Sequence, residues 1–162
     1  MTVSTIRTSD GRSLDVHVAG PDDGTPVVFH AGTPGSGLPF GALVNALADR
    51  GLRYVSWNRP GYGSSTRQPD RSVADVARDA SDILDDLGAG ECYVLGWSGG
   101  GPHALAMAAL LPDRVRAAAT IGGVAPYPAD GLDWLAGMGE ENVAEFGASL
   151  KGPDVLAGFL GR

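Results

Sequence analysis

A single serine, Ser98, stands among glycines in the stretch "GWSGGG", which begins at Gly96. An apolar run, "CYVL", precedes this stretch and a helix-like run, "PHALAMAALL", follows it. A hydroxyl is a poor nucleophile at neutral pH, so an enzyme that uses one must aim it and remove its proton. Glycines two residues before and two residues after the serine permit a turn in which side chains would collide, and such a turn strains the serine backbone and lifts its oxygen outwards. The spacing predicts a serine nucleophile at a strand-to-helix turn, and the alternative is a glycine-rich turn with an incidental serine.

A second loop, "HAGTPGSG", follows the apolar run "PVVF" and is expected to end beside the Ser98 turn. Backbone N–H groups at such a site stabilise the negative oxygen that forms when a carbonyl is attacked. We expect the amides of Gly99 and Thr33 to fill this role, because the helix that follows Ser98 also points its first amides at the site. The residues expected to line the site are His30, Gly32 and Trp97.

The partners that an activated serine needs are not evident in the chain. A serine hydrolase requires a histidine base that is oriented by a carboxylate. His17 is expected on the surface of a hairpin, His30 at a strand end as a polar wall or loop brace, and His103 in helix packing, because a helix rises ~1.5 Å per residue away from the turn. Asp130 and Asp133 follow the last apolar run, but "YPADGLDW" predicts equally well a turn and a helix start with Asp130 as its cap. The sequence therefore assigns neither the base nor the acid.

The elements around these loops predict the fold class. Thr5–Thr8 and Leu14–Ala19 flank an Asp-Gly turn and predict a hairpin whose second strand has one exposed face. Four apolar runs follow ("PVVFH", "RYVSW", "CYVLGW" and "AAATIGGV"), each typical of a strand that is covered on both faces. Between them, "FGALVNALADRG" and a segment that starts at Ser72, with Asp75 three residues on, predict helices. The alternation predicts an α/β fold with a mostly parallel sheet and helices on both faces.

After Pro126 the pattern changes to two or three short amphipathic helices broken by glycines, which are expected to lie over something else. The predicted domains are therefore residues 1–126, the sheet, and residues 127–162, the helical remainder. Four aromatic residues are candidates for an apolar pocket, with core or lid packing as the alternative: Phe40, Tyr62, Trp97 and Trp134.

Composition excludes several classes of function. The formal net charge is -7 and the basic residues do not cluster, so nucleic acid is not an expected partner. No apolar segment approaches the ~20 residues that span a bilayer and no secretory leader is evident, so we expect a soluble cytoplasmic protein with no membrane partner. The histidines and the single cysteine, Cys92, lack the spacing of metal ligands, and the "GWSGGG" glycines lack the spacing of a dinucleotide loop. No metal and no cofactor are expected.

Three stretches together, "HAGTPGSG", "NRPGYGSS" and "GWSGGG", resemble the α/β-hydrolase fold family from about residue 5 to residue 126. Within that family the chain is most similar to small-substrate hydrolases of the proline-iminopeptidase and esterase type. The resemblance implies a serine hydrolase of esters, amides or peptides that works through an acyl-enzyme on Ser98, with Gly99 and Thr33 as oxyanion amides. It also implies that "NRPGYGSS" forms a structural turn, in which Arg59 and Gly61 hold the shape, and that the helical remainder begins a lid. The chain departs from the family at Ala31, where the family's loop has a histidine.

The resemblance counts six strands as present and two as absent, and the absent pair normally carries the acid and the histidine. We therefore expect an N-terminal portion that is inactive or weakly active alone, with an exposed sheet edge for a complementary C-terminal portion or for self-association. A non-catalytic binding module or half of a split assembly is the main alternative, and an oxidoreductase on a doubly wound sheet is a third. Serine rather than aspartate at the turn argues against the family's dehalogenases and epoxide hydrolases.

Overall fold

The computed structural model describes residues 2–161, which form two compact units divided between Val124 and Ala125. The strands of the first unit are β1 (Thr2–Arg7), β2 (Ser13–Ala19), β3 (Thr25–His30), β4 (Leu52–Trp57), β5 (Cys92–Trp97) and β6 (Val115–Ile121). Its helices are α1 (Gly41–Ala48), α2 (Val76–Asp86) and α3 (Gly101–Leu110). The second unit contains α4 (Glu140–Ser149) and α5 (Pro153–Leu160).

The sheet has the strand order β1-β2-β4-β3-β5-β6. The pairs β1–β2 and β2–β4 are antiparallel, whereas β4, β3, β5 and β6 run parallel to one another. The Asp-Gly turn closes the hairpin with a hydrogen bond from the Thr8 N–H to the Arg12 carbonyl (2.9 Å) and a left-handed Gly11 (φ 85°). The predicted α/β class with a mostly parallel sheet is confirmed.

Helices cover both faces of the sheet. Successive side chains of each strand point to opposite faces, so the sheet contributes to two apolar clusters. The cluster under α2 and α3 includes Val28, Val55, Val94, Ile83, Leu84 and Met107. The cluster under α1 includes Val27, Phe29, Tyr54 and Leu47. The neighbouring strands β3 and β5 are thus packed on both faces, and their carboxyl ends carry the two candidate loops.

The expectation that His17 is a surface residue is wrong. Strand β2 lies between β1 and β4 rather than at the edge, and His17 is only 4% exposed. The face that it shares with Asp15 is covered, because the Asp15 carboxylate accepts hydrogen bonds from the Ser64 N–H (2.8 Å) and the Asn58 amide (3.3 Å). The polar face of β2 is therefore only partly solvated: His17 is buried, whereas Ser13 and Asp15 are half-buried.

The predicted capping arrangement of Ser72 and Asp75 is present, but the α-helix itself begins later in the chain than the sequence predicted. The Asp75 carboxylate accepts hydrogen bonds from the Ser72 N–H (2.7 Å) and hydroxyl (2.9 Å). Residues 73–75 form a short 3₁₀ turn before the α-helix starts at Val76. A buried ion pair joins this helix to the hairpin, since Arg12 Nη2 lies 2.5 Å from Asp79 Oδ1.

Strand β6 pairs with β5 along one edge, and no other strand among residues 2–161 pairs with its second edge. Its residues from Arg116 to Ile121 are exposed. Apart from arginine and threonine they are apolar, so an apolar strip of sheet faces solvent at this side of the first unit. An exposed edge strand of this kind is a template for pairing with further polypeptide.

The second unit is organised around Trp134. Its ring makes edge contacts with Tyr127 (centroids 5.3 Å apart) and Phe146 (4.6 Å), and its indole N–H donates to the Ala125 carbonyl (2.9 Å). The helix start considered at Asp130 is not present, because the surrounding residues form turns and α4 begins at Glu140. The assignment of this unit as a lid stays a prediction.

Within residues 2–161, no helix has the length and apolar character needed to span a bilayer.

Candidate active site

Ser98 lies in the bend where β5 ends and α3 is about to begin. Its backbone is left-handed, with φ of 51°. Among residues 2–161 only Asp70 and Ser98 have this conformation without being glycine. A left-handed non-glycine residue is strained and persists only when its surroundings enforce it. The strained backbone expected of Ser98 is therefore present.

The neighbouring glycines are required by close backbone packing. A Cβ on Gly96 would overlap the carbonyl of Gly100, and a Cβ on Gly100 would overlap the carbonyl of His30. A Cβ on Gly101 would lie 2.7 Å from the Cα of Gly123. Side chains at Gly96 and Gly100, two residues before and after the serine, would collide with backbone atoms, as the sequence predicted. This close packing holds Ser98 in its left-handed conformation.

The loop after β3 passes directly beside the bend. A Cβ placed on Gly32 would lie 3.2 Å from Ser98 Cβ and 3.7 Å from Ser98 Oγ. On the other side, a Cβ placed on Gly99 would lie 3.1 Å from the backbone nitrogen of Thr33. The Thr33 N–H makes no hydrogen bond within residues 2–161, and the Gly99 N–H belongs to the first turn of a helix, where amides lack intrahelical partners. The backbones of Gly99 and Thr33 thus approach each other closely beside the serine, and neither amide has a partner within its own element.

Arg59 holds this loop in place. Its guanidinium donates hydrogen bonds to the carbonyls of Ala31 (2.8 Å) and Gly32 (3.1 Å) and to Thr33 Oγ1 (3.3 Å). Arg59 is only 6% exposed, and burial lowers its pKa. The sequence placed Arg59 in a structural turn but did not show that its side chain reaches the other loop. The sequence signal for this contact was a basic residue in a turn whose other residues are uncharged.

The rest of "NRPGYGSS" ties the same loop to β2. The Asn58 side chain accepts the Gly37 N–H (2.9 Å) and donates to Asp15, while the Ser65 hydroxyl donates to the Asn58 carbonyl (2.6 Å). Ser56 also donates to the Gly37 carbonyl. These bonds fix the far end of the loop, so both of its ends are anchored around Ser98.

Neither His30 nor His103 hydrogen-bonds to Ser98. His103 Nδ1 lies 3.0 Å from the Gly99 carbonyl, and burial lowers the His103 pKa to about 4. His30 Nε2 lies 3.0 Å from Met107 Sδ and its ring meets Trp57 edge-on, so burial holds the His30 pKa well below its usual value. Both imidazoles are therefore neutral packing groups under the strand-to-helix bend at Ser98 (the elbow), as the sequence indicated for His103.

A cavity of about 670 Å³ opens beside the elbow, and Ser98, Gly32, Thr33 and Trp97 line it together with Phe40. His30 does not line this cavity, because its ring is buried behind the strand end. The structure corrects the expectation for His30 in this respect. Tyr62 does not line it either and stacks instead against the guanidinium of Arg59 (5.6 Å). Among the described residues, no cluster of three or more His, Cys, Asp or Glu side chains is arranged to hold a metal ion.

Comparison with known proteins decides the family. A family model described as the alpha/beta hydrolase fold matches residues 25–153, which is most of the chain. The chain belongs to the alpha/beta hydrolase fold family. The strand-to-helix bend at Ser98 and the loop after β3 both lie at the carboxyl ends of neighbouring parallel strands of this alpha/beta hydrolase sheet.

Named relatives of this alpha/beta hydrolase differ in chemistry. It is 35% identical over 115 residues to the uncharacterized hydrolase YcgS of Bacillus subtilis, covering 70% of this chain and 39% of the relative. It is 32% identical over 139 residues to epoxide hydrolase B of Mycobacterium tuberculosis, covering 82% of this chain and 38% of the relative. An esterase structure from Rhodococcus sp. ECU1013 superposes with a TM-score of 0.64 at 27% identity, covering 76% of this chain and 46% of that one. The chain therefore spans less than half the length of each of these proteins.

Proposed function

We propose that this alpha/beta hydrolase chain carries the nucleophile and the oxyanion site of a serine hydrolase that cleaves esters, amides or peptides. The observation that supports the proposal best is the left-handed backbone of Ser98 at the wall of a cavity. A strained residue that the glycine packing enforces is expected where a side chain must be presented for chemistry. A serine that merely filled a glycine-rich turn would not require Gly96 and Gly100 to pack against backbone carbonyls.

In the proposed reaction Ser98 Oγ adds to the substrate carbonyl carbon while its proton passes to a base. The carbonyl oxygen becomes negative and accepts hydrogen bonds from the amides of Gly99 and Thr33, two residues whose backbones approach each other closely. When the carbonyl re-forms, the bond to the alcohol or amine breaks and the leaving group takes the proton from the base. Water then adds to the acyl carbon while its proton passes to the base. The bond between the acyl carbon and Ser98 Oγ breaks, the acid leaves, and Oγ takes the proton back from the base.

The base is expected to be supplied by polypeptide other than these 162 residues. The three histidines of the chain are buried, and none is hydrogen-bonded to Ser98 within residues 2–161. The chain spans less than half the length of its relatives, and β6 offers an exposed edge on which further strands can pair. By itself the chain is then expected to keep only a small residual rate, because donors and nucleophile without a base retain little catalysis.

Epoxide hydrolysis fits this site less well, although one relative carries that name. A carboxylate that opens an epoxide leaves an ester, which water can hydrolyse to regenerate the enzyme. Attack by Ser98 would leave an ether between Oγ and the substrate carbon, and water does not cleave an ether under these conditions. The hydroxyl at position 98 therefore favours carbonyl substrates, whose serine adducts are hydrolysable esters.

A fluorophosphonate probe tests the proposal, because it labels activated serines covalently. The probe is applied to the product of the complete reading frame and to the 162-residue chain. We expect labelling at Ser98 in the complete product, weaker labelling of the chain alone and none after Ser98→Ala. Ser36→Ala is the matched control, since Ser36 lines the same cavity on an ordinary loop, and it should leave labelling unchanged.

A folded complete product that stays unlabelled at Ser98 would overturn the proposal and favour a non-catalytic binding module. The sequence after codon 162 gives an independent test. An aspartate followed by a Gly-His pair downstream supports the enzyme, whereas a stop codon at position 163 argues for a binding module or a split assembly.

A further inference from the structure

The cavity beside Ser98 has an apolar wall. Its apolar side chains come from three strands, from α1 and from the loop between β3 and α1, and they include Phe29, Leu38, Phe40, Leu43, Leu95 and Ile121 as well as Trp97. No charged residue among the described residues lines it, although 19% of the chain is charged. Its volume of about 670 Å³ lies within the ~300–1,000 Å³ that is usual for small-molecule sites.

We propose that this cavity selects uncharged substrates with an apolar chain, such as alkyl esters, and rejects substrates that carry a carboxylate or an ammonium on that chain. The inference rests on the proposed function, since it names the substrate class of the same site. It also separates the chain from peptidases that recognise a free amino terminus, a substrate class that the sequence alone left open.

The physical reason is the cost of moving a charge into this wall. A charge that leaves water without gaining a partner is strongly disfavoured, whereas an alkyl chain gains about 0.8 kcal/mol for each buried CH₂ group. Arg59, which braces the loop at the cavity wall, already donates to the carbonyls of Ala31 and Gly32 and does not itself line the cavity. A bound carboxylate therefore finds no cation, and a bound ammonium finds no carboxylate.

A second cavity in the first unit shows that the chain does place charges in concave surfaces. This cavity of about 420 Å³ lies at the opposite ends of the strands and is lined by Asp22, Asp23, Arg53, Glu91 and Arg116 among others. It contains no serine or cysteine among its lining residues. Charged residues thus line the cavity at the amino ends of the strands but not the cavity that contains Ser98. The apolar lining is therefore specific to the Ser98 cavity.

Three methyl esters of matched length test the inference: methyl hexanoate, monomethyl adipate and methyl ε-aminocaproate. All three have a six-carbon acyl group, whose far end is a methyl, a carboxylate or an aminomethyl group that carries the ammonium charge. Binding is measured with the Ser98→Ala chain, which cannot acylate, by titrating the amide NMR shifts of Gly32 and Gly35 at the cavity wall. We expect methyl hexanoate to bind and each charged ester to bind at least about tenfold more weakly.

A lysine at position 40 should reverse the preference for anions. Phe40 lines the cavity and is 64% exposed, so Phe40→Lys adds a cation to the wall without removing a core residue. The variant should bind monomethyl adipate at least about tenfold more tightly than the parent does. Val3→Lys is the matched control, because Val3 is 56% exposed on β1 and does not line the cavity, and it should change neither affinity.

Equal or tighter binding of monomethyl adipate or methyl ε-aminocaproate to the parent chain would overturn the inference, as would the absence of any shift with methyl hexanoate up to its solubility. The outcome is independent of the fluorophosphonate test. Labelling at Ser98 without selective ester binding would remove the substrate class and keep the hydrolase, whereas selective binding without labelling would remove the hydrolase and keep the apolar cavity.

Discussion

Arg59→Met is expected to loosen the loop that carries the Thr33 amide. The substitution keeps a long apolar stem but removes the donors that bind the Ala31 and Gly32 carbonyls at 2.8 and 3.1 Å. The Gly32 carbonyl keeps a second partner, the Gly35 N–H (2.8 Å). The Ala31 carbonyl loses its charged donor and becomes the main source of the loss.

The magnitude follows from these contacts. A buried acceptor left unpaired costs about 1–3 kcal/mol, and a hydrogen bond from a charged donor contributes about 1.5–3 kcal/mol. Part of the loss is offset, because the buried guanidinium of Arg59 no longer has to be desolvated, a cost that its lowered pKa also reflects. We expect a net loss of about 2 kcal/mol in the local stability of the loop, which is roughly a thirtyfold change in its opening equilibrium.

Amide hydrogen exchange measures this opening directly, since the Gly35 N–H is protected by its bond to Gly32. Exchange at Gly35 should accelerate about thirtyfold in Arg59→Met, while the Val94 amide in the centre of the sheet reports any global change. Arg78→Met is the matched control, because Arg78 forms exposed ion pairs with Asp10 and Asp75 and should change stability by less than about 0.5 kcal/mol. Unchanged exchange at Gly35 in a folded Arg59→Met chain would refute the assignment of Arg59 as the brace of the oxyanion loop.

Three further predictions concern stability. Asp79→Ala should lower the unfolding free energy by about 2 kcal/mol in urea titrations, because the buried Arg12 loses its 2.5 Å partner and keeps only the more exposed Asp10 (2.9 Å); a loss below about 0.5 kcal/mol would contradict the pairing. Gly100→Ala should lower thermal stability by about 2 kcal/mol or more, since its Cβ overlaps the carbonyl of His30, and an unchanged melting temperature would contradict the tight elbow. The His103 pKa is about 4 when folded and 6.5 when unfolded, so the unfolded chain binds more protons between these values and stability falls as the pH drops through that window. Between about pH 7.5 and about pH 5, protonation of His103 in the unfolded chain lowers the unfolding free energy by about 2 kcal/mol. Over this range the unfolding free energy of His103→Gln should therefore fall by about 2 kcal/mol less than that of the parent. An equal pH dependence of the two chains would contradict the burial of a neutral imidazole.

The sequence determined the elements that are specified by local chemistry. The apolar runs before "HAGTPGSG" and "GWSGGG" predicted β3 and β5, and the Asp-Gly pair predicted the hairpin, because strand and turn preferences depend on neighbouring residues. The glycines that flank Ser98 likewise predicted a tight bend before any tertiary contact was known, since only close backbone packing requires the absence of side chains there.

Other features were decided only by the tertiary structure. The sequence placed His17 at the surface and His30 at the site, yet both side chains are buried: His17 lies on β2 inside the sheet, and the His30 ring packs against Met107 and Trp57. The contact between Arg59 and the loop after β3 joins residues 26 to 28 positions apart. Burial and long-range hydrogen bonds of this kind depend on which distant segments the fold brings together. Local residue patterns do not show which segments will meet. The sequence thus determined that a serine is presented at a bend, whereas the fold decided what surrounds it: an apolar cavity, two adjacent amides and an arginine that holds one of them in place.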